Sequence, residues 1–149
     1  MDDYEYYGLF LTQESKDKLA KWLFFNGYSP ESELMKKRTG ILNPNYGKKT
    51  PERTRKACTL LHKSQRTSHF LLEDTLSTAL IMYGSIIESI KIDGIGISDK
   101  AMAFRVVYPS NLCANKIPHI TICTSNGGKP VDSNYITEWK DIEPITVEV

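Results

Sequence analysis

The chain has 149 residues, 40% of them hydrophobic and 25% charged, with a formal net charge of +1. That size fits one domain, residues 1–149, around one substantial core, and the near-neutral charge does not imply a broad basic surface for long nucleic acid. No apolar stretch reaches the roughly twenty residues that a membrane-spanning helix needs.

In chain order, Tyr4 to Leu11 reads as a first strand ending at Thr12, a residue type suited to cap a helix. From Gln13 to Asn26, Leu19, Trp22 and Leu23 recur at helical spacing as a core-facing stripe, and Gly27 supplies the stop. Tyr28 to Thr54 carries Pro30, Gly40, Pro44, Gly47 and Pro51 and reads as a long loop with one short helical turn between Pro30 and Lys37. Arg55 to His62 is the next strand, and Ser68 to Tyr83 a second helix. After Gly84 the isoleucines from Ile86 to Ile97 lead through Asp99 and Lys100 into Ala103 to Tyr108, a β-hairpin. Pro118 to Thr124 and Ile142 to Val149 complete the strands. Helices interspersed with antiparallel strands make the expected class α+β.

Lys36, Lys37, Arg38, Lys48, Lys49, Arg53, Arg55 and Lys56 form a local basic cluster, either a solvated loop or a funnel for a phosphate-bearing ligand. Cys58, Cys113 and Cys123 lack the paired spacing of a disulfide framework or zinc site, so no metal and no cofactor is expected, and a reducing cytoplasm is the natural setting. The start Met-Asp-Asp-Tyr reads as a native terminus without a secretory leader. No glycine-rich loop precedes a helix, so a nucleotide-dependent kinase or ligase is not indicated.

The chemistry concentrates in Pro118-His119-Ile120-Thr121-Ile122. Residues two apart on a strand share a face, so His119 and Thr121 look into one space while Ile120 and Ile122 face the core. The run Ala57-Cys58-Thr59-Leu60-Leu61 has the same texture, with alanine where the first motif would carry its histidine. His62-Lys63-Ser64 competes as a literal H-x-[ST], but strict alternation puts Lys63 where an apolar side chain belongs, so Ala57 is preferred.

Ala114 to Ile122, followed by Gly128-Lys129-Pro130-Val131-Asp132-Ser133-Asn134, resembles the second half of the 2H phosphoesterases. Tyr7-Gly8-Leu9-Phe10-Leu11 and Cys58-Thr59-Leu60-Leu61 are similar to the first strand and first motif of small RNA-repair-like and phage members. The resemblance implies a bilobal α+β fold, two antiparallel sheets facing a central cleft with helices packed outside. It implies a metal-independent phosphodiesterase in which one imidazole is base and another acid, and hydroxyls steady the phosphoryl oxygens. The catalytic set is then Ala57 (in place of the expected histidine), Thr59, His119 and Thr121. Ala57 reads as an inactivating His-to-Ala change, engineered or natural, that leaves a substrate-retaining form.

Among family activities, the compact chain points towards the phage nucleases that evade bacterial cyclic-nucleotide defence. These cut 3′–5′ linkages of cyclic di- or oligonucleotides by 2′-hydroxyl attack, and the expectation is a monomer in the cytoplasm of an infected bacterial host. The alternatives are a 2′,3′-cyclic phosphodiesterase in RNA end repair and a non-catalytic cyclic-nucleotide sponge. Lys129, Ser133 and Asn134 are candidates for phosphate or sugar oxygens, and Tyr7, Glu138 and Trp139 for contacts to the bases.

Overall fold

The computed structural model describes residues 6–29, 32–39, 57–83, 89–125 and 127–149. The strands are β1 (Tyr6–Phe10), β2 (Arg38–Thr39), β3 (Ala57–His62), β4 (Ser89–Ile97), β5 (Ala101–Val107), β6 (His119–Ser125) and β7 (Trp139–Glu148), with helices α1 (Gln13–Phe25) and α2 (Phe70–Tyr83). The basic residues from Lys48 to Lys56, the first two residues expected in β1, and Ile86 and Ile87 lie outside the described residues. Of the rest of the cluster, Lys36 pairs with Glu33 and Arg38 donates to the Ser98 carbonyl.

All strands join one antiparallel sheet, in the order β1-β3-β6-β5-β4-β7, with β2 on β6. This corrects the expected pair of sheets facing a cleft with helices outside: the fold is mostly β, on one continuous sheet. The reason is a direct pairing that local patterning does not reveal. Cys58 of β3 lies opposite Ile120 of β6, so the strands expected from separate lobes are neighbours.

Helix α1 starts where its chemistry says it should. The Thr12 hydroxyl accepts the Ser15 N–H at 3.1 Å, and Gly27, at φ 89°, turns the chain away after the C-cap Asn26. Leu19 and Leu23 bury completely or nearly so, and the Trp22 ring meets Phe104 edge-on with centroids 5.7 Å apart. Together with Cys58, Leu60, Ile92, Phe104, Ile120 and Ile122 they form the main core on one face of the sheet. α2 contributes Leu76 to that core, whereas Phe70, Leu71 and Leu80 lie exposed. β7 begins at Trp139, three residues before the expected start, and carries Pro144 as an edge strand can, because one side of its backbone needs no ladder partner.

A smaller cluster of Ala101, Ala103, Ile136 and Trp139 packs separately from that core. Gly96, paired with both Ala103 and Trp139, makes it possible: a Cβ there would stand 2.6 Å from the indole and 2.8 Å from the Ile136 side chain. Gly96→Ala is therefore expected to lose about 1–3 kcal/mol of stability through overpacking, read as a lowered urea midpoint with altered tryptophan fluorescence. An unchanged midpoint would mean that the indole has room to move.

Candidate functional site

Two strands build the site. Around the Cys58–Ile120 pair, Ala57 and Thr59 on β3 and His119 and Thr121 on β6 line one cavity of about 430 Å³. Each strand then breaks its alternation just after the threonine. Opposite β1 the register slips so that Leu60 is an extra residue, and opposite β5 it slips so that Ile122 is extra. Two consecutive buried residues mark each bulge, Leu60-Leu61 and Ile122-Cys123. A bulge bends its strand and re-aims the side chains beyond it.

The bulge on β3 is held by the segment after β5. The Ala114 N–H donates to the Leu60 carbonyl at 2.7 Å, and the Asn115 amide to the Thr59 carbonyl at 3.3 Å. Backbone groups freed from the ladder thus find partners. Asn115 accepts in turn from the Gln65 side-chain amide at 3.0 Å, and the Gln65 side-chain oxygen accepts the His62 N–H at 3.0 Å.

His119 is buried, with Nδ1 2.7 Å from the Ile117 carbonyl. A carbonyl only accepts, so Nδ1 carries the proton and Nε2 of the neutral ring keeps its lone pair. Burial pushes the imidazole pKa below its ordinary value, against a smaller upward pull from the hydrogen bond to Ile117. A base held unprotonated near neutrality is the result. The Thr121 hydroxyl lies 2.9 Å from that of Ser133, which is 1% exposed. On the hidden face of β3, burial raises the Cys58 thiol to about 12, with Cys113 adding to the effect, so this cysteine stays a protonated core residue. All three cysteines are free and buried.

The other sequence candidates divide. Asn134 lines the cavity with His62, Ser64, Gln65, Asn115 and Tyr135. Trp139 and Ser133 line an adjoining cavity of about 590 Å³ that shares Gln65, Asn115, Asn134 and Tyr135 with the first. Ser133, a candidate for phosphate or sugar oxygens, is buried with its hydroxyl against that of Thr121. Tyr7 is not brought to the site: its hydroxyl lies 2.6 Å from that of Ser77 on α2 and its ring packs against the core. Lys129 and Glu138, on either side of the turn from Pro130 to Tyr135, are exposed and line neither cavity.

Sequence reasoning missed Gln65, Asn115 and Tyr135, polar or aromatic loop residues with no local signal. It set aside His62 because alternation put Lys63 where an apolar side chain belongs; β3 ends at His62 and Lys63 opens a short turn, while the bulge at Leu60 brings His62 to the side of Ala57 and Thr59. The visible clue was the double leucine before it.

Comparison with known proteins gives one family: residues 48–146 match the model of the fungal tRNA ligase phosphodiesterase domain. No curated protein sequence matches the chain. Among solved structures, a fungal RNA kinase superposes with a TM-score of 0.65 at 14% identity, over 99% of this chain and 45% of that one. That likeness concerns the fold, and this chain spans under half the length of that protein. The phage nucleases, cyclic messengers and infected bacterial host towards which the motifs leaned find no support in these likenesses. The matched region runs through both motif strands, and the chain belongs to the fungal tRNA ligase phosphodiesterase domain family.

Proposed function

We propose that the chain recognises the 2′,3′-cyclic phosphate end of an RNA and opens it, slowly as the sequence stands. The observation that carries this reading is the meeting of Thr59, His119 and Thr121 around Ala57 in one cavity of a phosphodiesterase-family chain. The names of its relatives, a tRNA ligase domain and an RNA kinase, favour an RNA end as substrate. The adjoining cavity offers the Trp139 and Tyr135 rings to the terminal nucleoside, with the phosphate beside the threonines.

In the reaction, His119 Nε2 takes a proton from water, whose oxygen bonds to phosphorus. One of the two ribose P–O bonds breaks, leaving a phosphomonoester and an alkoxide that must gain a proton. Thr59 and Thr121 donate to the phosphoryl oxygens as charge builds on them. The imidazole that would protonate the departing oxygen is missing at Ala57, so water supplies that proton and the rate suffers.

A competition between an oligoribonucleotide ending in 2′,3′-cyclic phosphate and cyclic GMP-AMP tests the substrate class. The RNA end is expected to be bound about tenfold or more tightly. Preference for the cyclic dinucleotide would reject the end-repair reading.

A further inference from the structure

His62 is a second imidazole at the cavity, and its ring is oriented by two residues, Tyr6 and Ser64, whose hydroxyl also lies 2.9 Å from Nδ1. The bulge at Leu60 turns it to the side of Ala57 and Thr59, and it lines the same cavity as His119 and Thr121. Its backbone N–H is tied through Gln65 and Asn115 to the Thr59 carbonyl, so it is coupled rigidly to the first motif. The ring stacks on Tyr6 with centroids 6.4 Å apart and planes 19° from parallel. Its Nδ1 accepts the Ser64 N–H at 3.1 Å, where His62 caps a short turn from Lys63 to Gln65. An Nδ1 that accepts leaves the proton of the neutral ring on Nε2. No hydrogen bond from Nε2 to any of the described residues is present.

The two histidines that line the cavity therefore differ at Nε2: His119 carries a lone pair there and His62 an N–H. We propose that His62 donates this N–H to a phosphoryl oxygen of the bound ester, a further anchor for the anion in the cavity that Ala57 also lines. The inference rests on the phosphodiester reading above. No proton is transferred by His62, since Nδ1 is already engaged as an acceptor by the backbone. Its part is that of a fixed dipole aimed at the anion, alongside the two threonine hydroxyls.

The test uses the whole chain and adenosine 2′,3′-cyclic phosphate as probe, with binding measured by calorimetry and the imidazole nitrogens by NMR on 15N-histidine-labelled protein. His62→Asn places an amide oxygen near the Nδ1 position and keeps the cap, but removes Nε2. It is expected to weaken binding roughly ten- to a hundredfold, as loss of a hydrogen bond to a charged group does. His62→Gln extends an amide N–H towards the Nε2 position and loses the cap, and is expected to retain most of the affinity. A purely structural histidine predicts the reverse order. In the parent chain the His62 Nε2 signal should carry its proton before the probe is added and shift when it binds.

Thr121→Val separates the two levels of the argument. If Thr121→Val weakens binding while His62→Asn binds as the parent does and the Nε2 signal stays still, His62 is structural and the proposal falls alone. If the parent fails to bind the probe, or binds it equally well with Thr121→Val, the phosphodiester reading falls and takes the proposal with it.

Discussion

Ala57→His is expected to raise turnover of an RNA 2′,3′-cyclic phosphate by about two to four orders of magnitude, the usual contribution of one general acid–base group. Ala57, half-buried on β3, sits opposite Phe10, one ladder position from the Cys58–Ile120 pair. Gly8 across the ladder carries no side chain, and the point where one would begin is 3.5 Å from the Ala57 Cβ, so a larger group has room at position 57, which itself lines the cavity. There it finds about 430 Å³ lined by Thr59, His119 and Thr121. On the proposed reading, an imidazole in that space would stand across the phosphate from His119 and protonate the departing ribose oxygen. Single-turnover kinetics on the parent and the variant make the comparison without interference from product release. An unchanged rate with undiminished binding would replace the enzyme by a nucleotide-binding protein.

The second large effect belongs to the histidine that remains. His119→Asn keeps a donor in the Nδ1 position for the Ile117 carbonyl and removes the base, so the rate should fall by about two to four orders of magnitude while the strand stays folded. In the parent, burial keeps Nε2 unprotonated below the ordinary histidine value of about 6.5. The acid limb of kcat/KM should therefore lie below pH 6.5. The same shift has a sign for stability. Above about pH 6.5 folded and unfolded chains both hold the ring neutral. As the pH drops from there, the unfolded chain takes up the proton first, and stability is lost until the folded value is passed. His119→Asn should flatten that part of the urea-midpoint profile. A rate indifferent to the substitution would mean that another group is the base.

His119-Ile120-Thr121 was legible because a strand alternates: knowing that Ile120 seeks the core is enough to put its neighbours on the opposite face. Ala57 and Thr59 were legible by the same argument with Cys58 as pivot. Thr12, Leu19, Leu23 and Gly27 likewise announce α1, since a cap, a 3.6-residue stripe and a left-handed stop are local properties. Tyr7, Lys129 and Glu138 show the limit. Their residue types suit a nucleotide, but residue type does not say which side of a sheet or which end of a turn they occupy.

Alternation along a strand is fixed within a few residues, so the sequence alone showed that each motif points a hydroxyl and an imidazole position one way. That β3 and β6 are neighbours in one sheet, that the Ser133 hydroxyl meets that of Thr121, and that His62 lines the same cavity came out of the strand pairing and not of any local pattern. Those facts depend on cross-strand register: the extra residues Leu60 and Ile122 are extra only against the β1 and β5 strands they face.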